Sequence, residues 1–138
     1  MDASDVSATC IQEASAIASN LLDTFPAKPG DVLRPKFLGC GILGAAEGDI
    51  ISSGCLYEIK AGARAFRISD IRQLLVYSTL AYASGSLEFD RIGLCNPRTG
   101  AFWVKSLDSI CQSISGLKAS DVLSNLARHF DSLDSYQS

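Results

Sequence analysis

Asp49, Glu58 and Lys60 are the residues of this 138-residue chain whose types and spacing best suit chemistry. Glu58, Ile59 and Lys60 fall in an extended run, Cys55 to Lys60. Alternate side chains of a strand share a face, so Glu58 and Lys60 project together while Tyr57 and Ile59 face the other way. Asp49 follows a glycine, nine residues before Glu58. If residues 49–51 and 55–60 pair as a hairpin, Asp49 falls across from the far end of the second strand, near Glu58 or Lys60. Two carboxylates and a lysine converging there could hold Mg²⁺, with Mn²⁺ as a substitute, through the oxygen ligands it prefers, leaving positions for water and phosphate oxygen. Such an ion lowers the pKa of bound water and neutralises charge growing on a phosphoryl transition state. Lys60 would either orient the attacking water or stabilise that charge, and the Ile59 carbonyl would be a further ligand. On spacing alone, the same residues also describe a surface ion pair on a solvated strand face.

Several elements must position these groups. Residues 5–25 carry Val6, Cys10, Ala14, Ile17, Leu21 and Phe25 at the spacing of one helix face, with Asp2 or Ser4 as cap and Pro26 as stop. After a Pro/Gly connector over 26–35, residues 36–44 read as a strand and 45–49 as a turn. Residues 52–54 form the turn between the strands carrying the site, with Gly54 available for a positive φ. Residues 68–84 are the strongest helix of the chain, capped by Ser69 and ended by Gly85. Residues 91–96 and 101–106 form a second hairpin about a Pro/Gly turn at 97–100. Closing helices follow over 107–115 and 120–133, with Gly116 between them and Ser120 as cap. The order α-β-β-β-α-β-β-α-α predicts an α/β fold, a central mixed β-sheet flanked by helices, with one helix crossing between the sheet's two halves.

Length and composition set the outer limits. A chain of this size is one domain, spanning 1–138, and a domain of ~150 residues buries roughly 68–70% of its unfolded surface. Hydrophobic residues make up 47% and charged residues 20%, which excludes a disordered chain. No uncharged run approaches the about 20 apolar residues of a membrane span. The acidic start lacks the basic character of a secretory signal, so a cytoplasmic location is expected. The net charge of −3 argues against a simple basic coat, yet the bases concentrate in the middle of the chain. The five cysteines (Cys10, Cys40, Cys55, Cys95 and Cys111) form no C-x-x-C pair, and His129 is the single histidine. That pattern disfavours structural zinc and triad catalysis and suits buried thiols in a reducing compartment.

The stretch GDIISSGCLYEIK, with Asp49, Glu58 and Lys60, resembles the core of the PD-(D/E)XK nuclease superfamily, in which an aspartate starts one strand and E-x-K ends the next. The following helix carries Gln73 and Tyr77 as a Q-x-x-x-Y signature similar to that of the RecB and Cas4-like branch. At i and i+4 the two face the same way. The resemblance covers roughly residues 5–106. It implies a restriction-endonuclease-like fold and a metal-dependent nuclease, acting on DNA in prokaryotic defence or DNA processing. Asp49 and Glu58 would be ligands, Lys60 the water-orienting or charge-stabilising group, and Gln73 a positioning group. Tyr77 would contact nucleic acid or hold Gln73 in place, and Glu13 would be an accessory acid from the first helix. Gly48 stands where the motif's proline would be, and Glu58 where the RecB branch usually has aspartate. Arg64, Arg67 and Arg72, clustered after the motif, would contact the phosphate backbone. The alternative is a non-catalytic subunit of the same fold that binds nucleic acid or protein within a larger complex. A homodimer, or a partner supplying targeting, fits a chain with no sequence-reading domain of its own.

Overall fold

The structure, a computed structural model, describes residues 12, 30–40, 44 and 46–137, without the side chains of 134–137. The helix expected over 5–25 and Glu13 lie outside the described residues.

Strands β1 (Val32–Leu33), β4 (Ile50–Ser52), β5 (Cys55–Ile59), β6 (Arg91–Asn96) and β7 (Ala101–Ser106) form one sheet in the order β1-β4-β5-β6-β7. β2 (Lys36–Phe37) and β3 (Ala46–Glu47) pair separately as a short antiparallel ribbon. Helix α1 (Ile68–Ala83) connects β5 to β6, and helices α2 (Leu107–Ser115) and α3 (Ala119–Gln137) close the chain. The β5–β6 pair is parallel and every other pair in the sheet is antiparallel. Parallel neighbours require a long crossover, and α1 supplies it. The chain is therefore an α/β protein with a mixed central sheet flanked by helices. Among the described residues no helix is long and apolar enough to cross a membrane.

The β4–β5 connection is two residues long. Ser53 and Gly54 have φ of 51° and 74°, the left-handed pair that a primed hairpin turn demands. Register follows from it: Ile50 sits opposite Tyr57 and Ser52 opposite Cys55. On one sheet face, Leu56, Ile92 and Leu94 pack with Leu74, Tyr77, Leu80 and Ala81 of α1, and with Phe37, Phe89 and Leu107, to make the core. α3 lies against α1. On the opposite face the Tyr57 ring lies over Gly93, where an added Cβ would come within 2.7 Å of a ring carbon. That close approach is why β6 carries a glycine at its centre.

Five local expectations are corrected, the first being the connector over 26–35, which carries β1 at Val32–Leu33. Residues 36–44 are not one strand, and the turn expected over 45–49 contains β3. Among the described residues Lys36 and Phe37 pair with Glu47 and Ala46, Cys40 makes only an isolated bridge, and the glycines at 39, 41 and 44 disfavour a continuous strand. Ser69 is not the cap of α1. The helix starts one residue after Arg67, whose N–H donates to the Asp70 carboxylate at 2.8 Å. Ser120 likewise lies inside the first turn of α3, and the carboxylate of Asp108 in α2 accepts the Ala119 N–H at 2.8 Å. In both cases an aspartate placed nearby satisfies the first free N–H in place of the serine hydroxyl. The four described cysteines are free thiols, with Cys55, Cys95 and Cys111 buried.

Candidate active site

The register that pairs Ile50 with Tyr57 sets Asp49, the residue before β4, opposite Glu58. Its backbone is fixed from the β1–β2 side, where Arg34 N–H donates to Asp49 O and Gly48 N–H to Pro35 O, both at 2.8 Å. A proline at position 48 could not make the second bond, and a Cβ there would crowd the Leu56 and Pro35 side chains at 3.2 and 3.3 Å. The Asp49 carboxylate turns toward β5, and its Oδ2 accepts the Ile59 N–H at 2.7 Å.

Glu58 shares the core face of β5 with Leu56 and is 5% exposed. One carboxylate oxygen, Oε2, lies 3.7 Å from Lys60 Nζ. The other, Oε1, is buried without a hydrogen-bond partner. Burial, and next the Asp49 charge beside it, push the Glu58 carboxyl up to about 7, with Lys60 offsetting only part of this. The two carboxyls lie close enough to share a hydrogen bond when one is protonated, and a single ammonium leaves the ionised pair with a net negative charge.

Lys60 is half-buried, and its ammonium donates to Gln73 Oε1 at 2.8 Å. An ammonium has no acceptor, so this bond fixes the amide's orientation. Gln73 Nε2 is then free to donate to the Tyr77 hydroxyl at 2.8 Å. Tyr77 is 9% exposed, and its ring stacks on Phe37 with centroids 5.4 Å apart. Burial and the nearby Glu58 charge push its phenol up. Of the two roles open to Tyr77, the ring's burial leaves holding Gln73 and removes contact with nucleic acid.

The structure thus brings together Asp49, Glu58, Ile59, Lys60, Gln73 and Tyr77, from the start of β4, the end of β5 and the second and third turns of α1. The arginines divide. Arg64 grips Asp70 through two bonds of 2.8 and 2.9 Å, so its guanidinium fork is committed within the chain. Arg67 and Arg72 are exposed and form no ion pair among the described residues. Asp70 was the feature missed in the sequence. Its carboxyl is held down to about 2, first by Arg64 and then by the Arg67 N–H, against the opposing effect of burial. It locks the start of the helix that carries Gln73. An acid three residues past the first helical boundary, alone in a run of arginines, is the signal that could have found it.

Among the described residues no group of three or more His, Cys, Asp or Glu side chains could hold a metal ion. The two carboxylates present do fit a hard divalent cation: both donors are oxygen, they lie together, and one oxygen is orphaned. Comparison with known proteins gives no match, neither to a family model, nor to a curated protein, nor to a solved structure.

Proposed function

We propose that the chain is a metal-dependent nuclease that hydrolyses phosphodiester bonds of DNA, built on a restriction-endonuclease-like core. One observation carries the reading: two carboxylates meet at the end of β5, one of them buried with an unpartnered oxygen, beside a lysine whose ammonium is aimed by a glutamine. Two carboxyls sharing one ammonium make a negatively charged, oxygen-lined site that a divalent cation would neutralise. Further support comes from the β-β-α-β order, in which the aspartate precedes one strand, E-x-K closes the next and the helix crosses over.

In this reading Asp49 and Glu58, with the Ile59 carbonyl, hold Mg²⁺ or Mn²⁺. Such an ion, when bound, supplies a water of lowered pKa and positive charge for the phosphate. Lys60 orients the attacking water and meets charge developing on the phosphoryl oxygens. Gln73 fixes the ammonium, and Tyr77 fixes Gln73. Arg67 and Arg72 contact the phosphate backbone, which gives salt-sensitive binding independent of sequence.

The test is a cleavage assay of the purified chain on single- and double-stranded DNA and on RNA, with Mg²⁺, Mn²⁺ or EDTA. Lys60→Ala and Asp49→Ala serve as controls. DNA cutting that needs metal and disappears in both folded variants is expected. Cutting that survives both variants, or is indifferent to EDTA, overturns the assignment. A folded chain that binds DNA and cuts with no metal selects the alternative, a non-catalytic subunit. The presence of only two clustered acids among the described residues is the observation that favours it.

A further inference from the structure

The segment that follows Lys60 has little in its own composition to fix it. Residues 61–65 are exposed, have no regular structure, and four of the five are alanine or glycine. Such a stretch has wide conformational freedom. Its ties converge on the β6–β7 turn. The Lys60 N–H donates to Cys95 O at 2.8 Å, the Asn96 amide Nδ2 donates to Gly62 O at 2.8 Å, and Arg98 Nε donates to Ala61 O at 2.8 Å.

Asn96 is 1% exposed and follows the apolar buried run 92–95 of β6. A buried amide is costly unless both of its ends are bonded. Here both are: Oδ1 accepts the N–H of Arg98 at 2.9 Å and of Thr99 at 3.3 Å, while Nδ2 reaches across to Gly62. The partners are N–H groups on one side and a carbonyl on the other, so the amide has one orientation. The parallel register sets Ile59 beside Cys95, and one step further sets Lys60 beside Asn96. At its other end the segment is tied by Arg64 to Asp70.

The geometry points to the β6–β7 turn as a latch on the segment that carries Lys60, with Asn96 and Arg98 as positioning residues. The catalytic consequence rests on the nuclease reading above; the mechanical one does not. Asn96 builds the turn with its oxygen and clamps the segment with its nitrogen, while Arg98 adds a second clamp one residue closer to Lys60. A reacting group displaced by about 1 Å can lose up to 10²-fold in rate, so the latch acts on turnover and leaves substrate affinity alone.

Two variants separate the clamp from the turn. Asn96→Asp keeps the acceptor for Arg98 and Thr99 and removes the donor to Gly62. Arg98→Lys keeps the charge at an exposed position and removes the Nε donor. Amide hydrogen exchange of the full chain is measured at Lys60 and at β4, alongside kcat and KM for metal-dependent DNA cleavage. Exchange at Lys60, whose N–H is bonded to Cys95 O, should accelerate about tenfold in each variant with β4 unchanged, and kcat should fall about tenfold with KM within about twofold. Unchanged exchange at Lys60 in both variants overturns the latch. Faster exchange with unchanged kcat overturns the positioning of Lys60. Should Asn96→Asp loosen the whole sheet, Arg98→Lys decides. If the wild-type chain cuts nothing with any metal, the nuclease reading falls and the exchange data alone decide whether the turn holds the segment.

Discussion

The two hairpins of the central sheet meet the proposed site with opposite ends. The β4–β5 hairpin turns through Ser53 and Gly54 far from it and presents its open end, where Asp49 and Glu58 lie across from each other. The β6–β7 hairpin presents its closed end, the turn at 97–100, beside the exit of β5. The first contributes functional groups and the second contributes restraint. In β4–β5 the distant turn sets the register, and a slip of one residue would swing Glu58 and Lys60 to the other face. In β6–β7 the turn's own side chains do the holding. Chemistry and rigidity are thus separated along the chain, although they meet in space.

That division can be broken most severely at the open end. Asp49→Asn keeps an oxygen for the Ile59 N–H but loses the charge, and Lys60→Ala removes the ammonium. Each should lower cleavage by at least ~100-fold with melting behaviour close to that of wild type, as read by single-turnover rates and thermal unfolding.

The next test uses pH, in EDTA. Glu58 is raised to about 7 in the folded chain, above the roughly 4.3 of an unfolded glutamate, so the native state holds this proton more tightly. Its contribution to stability is present below about pH 4 and is lost as pH rises to about 7. The melting temperature of the wild type should therefore fall from pH 5 to pH 8 more steeply than that of Glu58→Gln, and Glu58→Gln should be the more stable at pH 8.

A smaller effect is expected at the start of α1. Asp70→Ala frees the helix N-terminus and the Arg64 fork, and should cost roughly 1–2 kcal/mol in urea denaturation. The Asp70 carboxyl is lowered, so its contribution is fully present above about pH 4 and is lost as pH falls through about 2. Smallest of all, Ser53→Gly should relieve the positive φ at the remote turn and stabilise the fold by roughly 0.5–1 kcal/mol, with kcat unchanged. A change in kcat there would show that the two ends of the first hairpin are not independent.

The open end was legible in the sequence and the closed end was not. Alternation in the Cys55–Lys60 run, a glycine at position 54 and an unbroken 3.6-residue pattern in α1 are local signals, and they suffice to bring Asp49, Glu58, Lys60 and Gln73 together. Local propensity failed where a distant partner decided the outcome. Asp70 displaced Ser69 as the partner of the first helical N–H, and β3 claimed two residues of an expected turn. Asn96 entered the reading only as the last residue of a strand, because nothing in a linear reading places Gly62 within its reach. The value of Glu58 likewise depends on burial, which spacing does not reveal. The grip of Arg64 on Asp70, six residues on, also depends on the path of the loop between them.

The bonds from Asn96 and Arg98 to the Lys60 segment bridge 34 and 37 residues. A chain grows from its N-terminus at about 5–20 residues per second, so Asp49, Glu58 and Lys60 exist for about 2–7 s before the strand and turn that restrain them. Parallel pairing across such a span is also among the slower steps of folding. The segment that carries Lys60 therefore receives its ties to the turn only when the sheet closes, after every side chain of the proposed site has been made.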